Sequence, residues 1–139
     1  MRPPILPIAE GLPHAASIIR RGGVVAFPTE TVYGLGASIG SIEGLKRIYD
    51  LKGRAWSEPL IVLLDHASSV HHAIREIPDY ARHLLECGWP EGLTALLPAR
   101  PDLPGLFVRE DLCAVRVTSL PHAQNLIRLV GTPVSGTSA

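Results

Sequence analysis

Gly22-Gly23-Val24-Val25-Ala26-Phe27-Pro28-Thr29-Glu30-Thr31-Val32-Tyr33-Gly34-Leu35-Gly36 is the stretch on which the fold turns. Val24 to Phe27 is a short apolar run rich in strand-forming residues, and Pro28 stops it, so it predicts a buried strand. Residues 29 to 36 are polar and glycine-rich directly after that strand, the placement of a ligand loop. Gly34-Leu35-Gly36 does not open a dinucleotide fingerprint, because the third glycine of G-x-G-x-x-G would fall at Ile39. The pair therefore reads as a simple turn.

Upstream, Ile5 to Ile8 lies between prolines and reads as an edge strand. Pro13 suits the first position of a helix with Ala15, Ala16, Ile18 and Ile19 inward, closed by Gly22-Gly23. Downstream, Ser41 reads as an N-cap, Glu43 suits the helix dipole, and Ile42, Leu45, Ile48 and Tyr49 follow at helical spacing until Gly53. Leu60 to Leu64 predicts a second buried strand. Ser69 to Ile77 predicts a short helix. Pro78 starts another, with Tyr80, Ala81, Leu84 and Leu85 inward and Gly88 at its end. Leu93 to Leu97 and Cys113 to Val117 read as strands, with a surface loop from Pro98 to Pro104. Pro121 opens a last helix with Ala123, Leu126, Ile127 and Val130 on one face, closed by Gly131. Helices and short strands mingle without clear βαβ repeats, so the fold class expected is α+β (mixed α/β), in one domain over residues 1–139.

Composition narrows the function classes. The 139 residues hold 13 Gly and 13 Pro, which predicts many turns, while 46 % hydrophobic and 19 % charged residues exclude a disordered chain. The apolar runs are far shorter than a membrane helix requires, and no leader-like apolar stretch follows Met1-Arg2-Pro3-Pro4. Thirteen basic and thirteen acidic residues cancel, which disfavours nucleic-acid binding by bulk electrostatics. Cys87 and Cys113 are too few for a disulfide scaffold, and both lie in apolar surroundings, so they read as buried thiols of a reducing, cytoplasmic compartment.

A few polar residues stand out. Lys52-Gly53-Arg54 places a point charge and a planar fork at a helix end, where both can converge on one polyphosphate, or else simply face solvent. Arg116 lies in a strand between Val115 and Val117 and shares a face with Ala114 and Thr118. It suits either an internal carboxylate or a substrate's. The six histidines form no metal-ligand spacing, His71 and His72 are expected to diverge, and no metal site is expected. No serine occupies a nucleophile elbow. Trp56 and Trp89 read as packing anchors.

Taken in order, these segments resemble the Sua5/YciO/YrdC family, the threonylcarbamoyl-AMP synthases. The opening stretch is similar to the family signature. Ile48-Tyr49-Asp50-Leu51-Lys52-Gly53-Arg54 with Glu58-Pro59-Leu60-Ile61-Val62 resembles its K-x-R element and the strand that follows. Trp89-Pro90 to Leu93-Thr94, Ala114-Val115-Arg116-Val117, and Thr132-Pro133-Val134 to Thr137-Ser138-Ala139 resemble its W-P-G-P-L-T, A-V-R and S-x-N elements. Glu91-Gly92 departs from the usual Gly-Pro, Gly136-Thr137-Ser138 is an altered lead-in, and the family's asparagine would follow Ala139. The resemblance thus implies a YrdC-like twisted mixed sheet flanked by helices, lacking its C-terminal part.

The resemblance implies that threonine and bicarbonate form a carbamate that attacks the α-phosphate of ATP, releasing pyrophosphate and threonylcarbamoyl-AMP. A separate transferase then modifies tRNA. By the same resemblance, Lys52 and Arg54 are catalytic and bind phosphates, Thr29 and Arg116 bind threonine, and Ser138 contacts the nucleotide. Mg²⁺ accompanies ATP through its phosphates. Two alternatives stand beside this reading: a non-catalytic double-stranded RNA-binding module, and a domain acting on another carbamoyl compound.

Overall fold

A computed structural model describes residues 2–87, 89 and 92–139. Helix α1 (Ile8–Arg20) leads into a hairpin of β1 (Val25–Pro28) and β2 (Tyr33–Gly36), followed by α2 (Ile42–Lys52) and β3 (Ile61–Leu64). A 3₁₀ turn (Ala67–His72), α3 (Asp79–Glu86), β4 (Thr94–Pro98), a second 3₁₀ turn (Gly105–Phe107) and β5 (Val108–Arg109) come next. β6 (Leu112–Val117), α4 (Pro121–Val130) and β7 (Val134–Gly136) complete the chain. The main sheet runs β4-β6-β3-β7, with β5 also on β6. β3 is parallel to β6, and the other pairings are antiparallel, so the sheet is mixed as expected.

Strand alternation divides the core in two. Val62, Leu64, Ala95, Leu97, Cys113 and Val115 pack against Leu45, Ile48 and Tyr49 of α2. The opposite face carries Leu63 and Val134, which α1 and α4 cover with Ala16, Ile19, Ala123, Leu126, Ile127 and Val130, together with Phe27. That cover does not reach along the whole face. Arg116 stands in register with both Leu63 and Thr94, and Ile61 with Gly136. Ile61, Leu63, Arg116 and Gly136 form the floor of a cleft.

The helix ends follow their chemistry. The Ser41 hydroxyl accepts from the Gly44 amide at 3.1 Å, and Gly53 closes α2 in the left-handed conformation at φ 59°. Gly131 ends α4 similarly at φ 90°, a backbone that glycine adopts without steric penalty.

Several expectations change. Residues 2–7 form no strand, and Ile5 is 97 % exposed, because nothing pairs with it. α1 starts at Ile8, with Glu10 in the first turn where a carboxylate suits the dipole, and Pro13 lies inside the helix as its sixth residue and not at its first position. Residues 33–36 are a strand and not loop: Gly36 meets Val25, and its bare Cα accommodates the Phe27 ring. The helix expected from Ser69 to Ile77 is the 3₁₀ turn Ala67–His72, after which Ile74 bridges Ala99. Tyr80 faces outward, 63 % exposed, because its hydroxyl donates to the Leu96 carbonyl at 3.0 Å. Cys87 is exposed at the end of α3, whereas Cys113 is buried. His71 and His72 do not diverge; their rings lie 4.2 Å apart in the tight 3₁₀ turn. Gly88, Pro90 and Glu91, and with them the expected end of α3 and the altered W-P loop, lie outside the described residues.

Candidate functional site

The hairpin loop between β1 and β2 closes through Thr29, whose amide donates to the Val32 carbonyl at 3.3 Å and whose hydroxyl donates to the same oxygen. The hydroxyl's lone pairs remain available to an incoming donor. This loop forms one wall of a 140 Å³ cleft whose floor is Ile61, Leu63, Arg116 and Gly136. Thr137 and Ser138 form the opposite wall. β7 and the residues after it are stitched to β2 and to Ala37 just beyond it: Ser135 N donates to Ala37 O at 2.8 Å, Leu35 N to Thr137 O at 2.8 Å, and Ala139 N to Tyr33 O at 2.8 Å.

Arg116 projects from the open face of β6. Its Nε donates to Thr94 Oγ1 at 2.9 Å, and its terminal nitrogens have no protein partner among the described residues. A guanidinium held by its inner nitrogen, with its outer edge unengaged in a cleft, is arranged to take a carboxylate in fork geometry.

Lys52, in the last turn of α2, reaches across to the far wall. Its Nζ donates to Ser138 O at 2.6 Å, Thr137 Oγ1 at 3.0 Å and Ser138 Oγ at 3.3 Å. Gly53 then turns the chain, and Arg54 points another way. Its Nη2 donates to Pro59 O at 2.9 Å, its Nε to Glu58 O at 3.3 Å, and Nη1 lies 3.6 Å from Glu58 Oε2. The loop that holds Arg54 is fixed by Tyr49, whose ring stacks on Trp56 at 4.8 Å and whose hydroxyl donates to Glu58 O at 2.6 Å.

Thr29, Arg116 and Ser138 therefore converge on one cleft, and Lys52 braces its edge. Neither Lys52 nor Arg54 is among the cleft-lining residues, and the two cations of the K-x-R element share no hydrogen-bond partner: Lys52 binds Thr137 and Ser138, Arg54 binds Glu58 and Pro59. One residue that the sequence reading passed over, Glu30, also lines the cleft and ties the loop to the start of α4. Its signal in the sequence was slight: a carboxylate beside Thr29 in a loop otherwise without charge. A second cavity, 220 Å³, lies elsewhere, lined by Asp65, Ser69, His72, Arg128 and Thr132 among others. It contains none of the candidate residues.

Comparison with known proteins bears on the family and the fold. The family model Sua5_yciO_yrdC, described as "Telomere recombination", matches residues 17–139. The chain is 40 % identical over 128 residues to a threonylcarbamoyl-AMP synthase of Bacillus subtilis, covering 91 % of this chain and 37 % of that protein. It is 43 % identical over 126 residues to one of Nitrosococcus oceani, covering 90 % of this chain and 68 % of that protein. A crystal structure of Pyrococcus abyssi Sua5 complexed with L-threonine superposes with a TM-score of 0.86 at 36 % identity, over 97 % of this chain and 40 % of that one. Escherichia coli YciO superposes at 0.80 with 25 % identity, over 96 % of this chain and 66 % of that one. The chain thus spans well under half of some relatives and about two thirds of others. On the family match, the shared fold and the ordered signature residues together, the chain belongs to the Sua5/YciO/YrdC family.

Proposed function

We propose that this chain carries the threonine-binding and adenylate-forming site of a threonylcarbamoyl-AMP synthase, serving threonylcarbamoyladenosine modification of tRNA in the cytoplasm. The observation that supports this reading best is the convergence of Thr29, Arg116 and Ser138 on one cleft, in a chain similar to a Sua5 that binds L-threonine. Drug-sized ligands fill pockets of roughly 300 Å³ or more; at 140 Å³ the enclosed part suits an amino acid. The nucleotide would lie outward across the Thr137–Ser138 wall.

In this reading Arg116 takes the threonine carboxylate and Thr29 accepts from the substrate's donor groups. The carbamate made from threonine and bicarbonate then attacks the α-phosphate, and pyrophosphate leaves in line. Lys52, already at Ser138, neutralises charge that develops on the phosphates. Arg54 would join it by exchanging the Pro59 carbonyl for phosphate oxygens. Positioning and electrostatics supply the catalysis, and no covalent nucleophile is needed. Mg²⁺ would arrive on the triphosphate. Its ligands would then be phosphate oxygens, since Glu30, the carboxylate among the cleft-lining residues, has Oε1 engaged by Thr118, Ser119 and Leu120. The adenylate passes to a separate tRNA threonylcarbamoyl transferase.

The test is incubation with ATP, Mg²⁺, L-threonine and bicarbonate. Threonine-dependent pyrophosphate together with threonylcarbamoyl-AMP is expected. Pyrophosphate release that ignores threonine would overturn the assignment.

A further inference from the structure

Glu30 Oε1 is an acceptor for three donors from a distant part of the chain. Ser119 N approaches it at 3.1 Å, Leu120 N at 3.3 Å, and the Thr118 hydroxyl also donates to it. Leu120 is the N-cap residue of α4 and has no capping side chain of its own. The Leu120 amide also donates to Thr118 Oγ1 at 3.2 Å, so Glu30 and Thr118 together satisfy the amides at the start of this helix, Glu30 adding a negative charge at the positive end of the dipole. Thr118 is fully buried, one of two buried polar residues among those described. Its amide is held by Leu64 O at 3.0 Å.

These contacts fall on either side of the cleft. Glu30 follows Thr29 directly, and Thr118 lies two residues after Arg116. One carboxylate thus joins the loop bearing the candidate threonine hydroxyl to the strand end bearing the candidate carboxylate clamp. The main chain supplies no shorter connection, since 88 residues separate Glu30 from Thr118.

We propose that Glu30 is a positioning residue, whose latch onto Thr118–Leu120 sets the separation of Thr29 from Arg116 and so the affinity for the amino-acid substrate. The inference rests on the threonine reading of the cleft. Hydrogen bonds to a charged group are stronger than those between neutral groups, so losing the set unfastens the loop. Misplacement of a binding group by about 1 Å can cost about 100-fold.

The experiment compares E30A and E30Q with the unmodified chain. E30A is expected to raise KM for threonine at least about tenfold, while KM for ATP changes less than about twofold. E30Q keeps an acceptor oxygen in place and is expected to restore most of the threonine affinity. Amide hydrogen exchange at residues 29–33 should quicken in E30A and recover in E30Q. If E30A does not fold, T118V removes one donor at nearly constant volume and should give the same selective change in smaller measure. Unaltered exchange at residues 29–33 with unaltered threonine KM overturns the latch. So does an equal rise in both KM values. Failure of the unmodified chain to use or bind threonine overturns the site reading itself, and is told apart because the exchange measurement needs no substrate.

Discussion

Replacing Arg116 by Gln separates what the arginine does for the fold from what it does for a ligand. The glutamine amide nitrogen reaches about as far as the arginine Nε, so it can keep the bond to Thr94 Oγ1, which Nε makes at 2.9 Å. What disappears is the outer fork and the positive charge. The fold should hardly register the change, because no other protein hydrogen bond of Arg116 exists among the described residues. The ligand should register it strongly. Hydrogen bonds to charged groups contribute about 1.5–3 kcal/mol, which corresponds to a loss of about 10- to 150-fold in threonine affinity. R116K keeps the charge but loses the fork, and should fall between the two. T94V keeps the fork and removes only its support, with a loss of about two- to tenfold. Isothermal calorimetry with L-threonine measures the affinities, and thermal melting checks the fold. If R116Q binds threonine within twofold of the unmodified chain, Arg116 is not the carboxylate clamp.

Three further outcomes follow from the same geometry. K52M removes the ammonium that joins Thr137 and Ser138, and should cut pyrophosphate release at least about tenfold with little change in threonine affinity. G36A puts a methyl group 2.6 Å from Phe27 Cε1; the ring is buried, so overpacking should destabilise by about 1–3 kcal/mol in urea denaturation. Burial pushes the Cys113 thiol from 9.0 to about 12, whereas Cys87 is exposed. One thiol should therefore react with Ellman's reagent at pH 8, and the second only on unfolding. Above pH 9 the unfolded Cys113 ionises while the folded one stays protonated, so stability should fall as pH rises towards 12, and less so in C113A.

Much of the cleft was legible because its parts carry local signals. Pro28 and the polar run after it marked the loop, alternation around Arg116 placed it opposite the valines, and Ser41 and Gly53 bounded α2. What was not legible depends on contacts across long sequence separations. β7 is three residues long and gains its identity only from β3 and the segment after β2. Glu30 looked like an ordinary loop carboxylate until Thr118 and α4 met it 88 residues away. Spacing left Lys52 and Arg54 free either to converge or to face solvent, and could not say that they would take different hydrogen-bond partners on either side of Gly53. The outward turn of Tyr80 was hidden for the same reason, as its partner is a strand carbonyl 16 residues on.

The most direct test of the account is a titration of ¹⁵N-labelled chain with L-threonine, followed by amide chemical shifts. Saturable changes should be confined to residues 29–34, 61–63, 116 and 136–138, and R116Q should abolish them at the same concentrations. Shifts gathered instead around Asp65, Ser69, His72, Arg128 and Thr132, or equal shifts in R116Q, would contradict the placing of the threonine site.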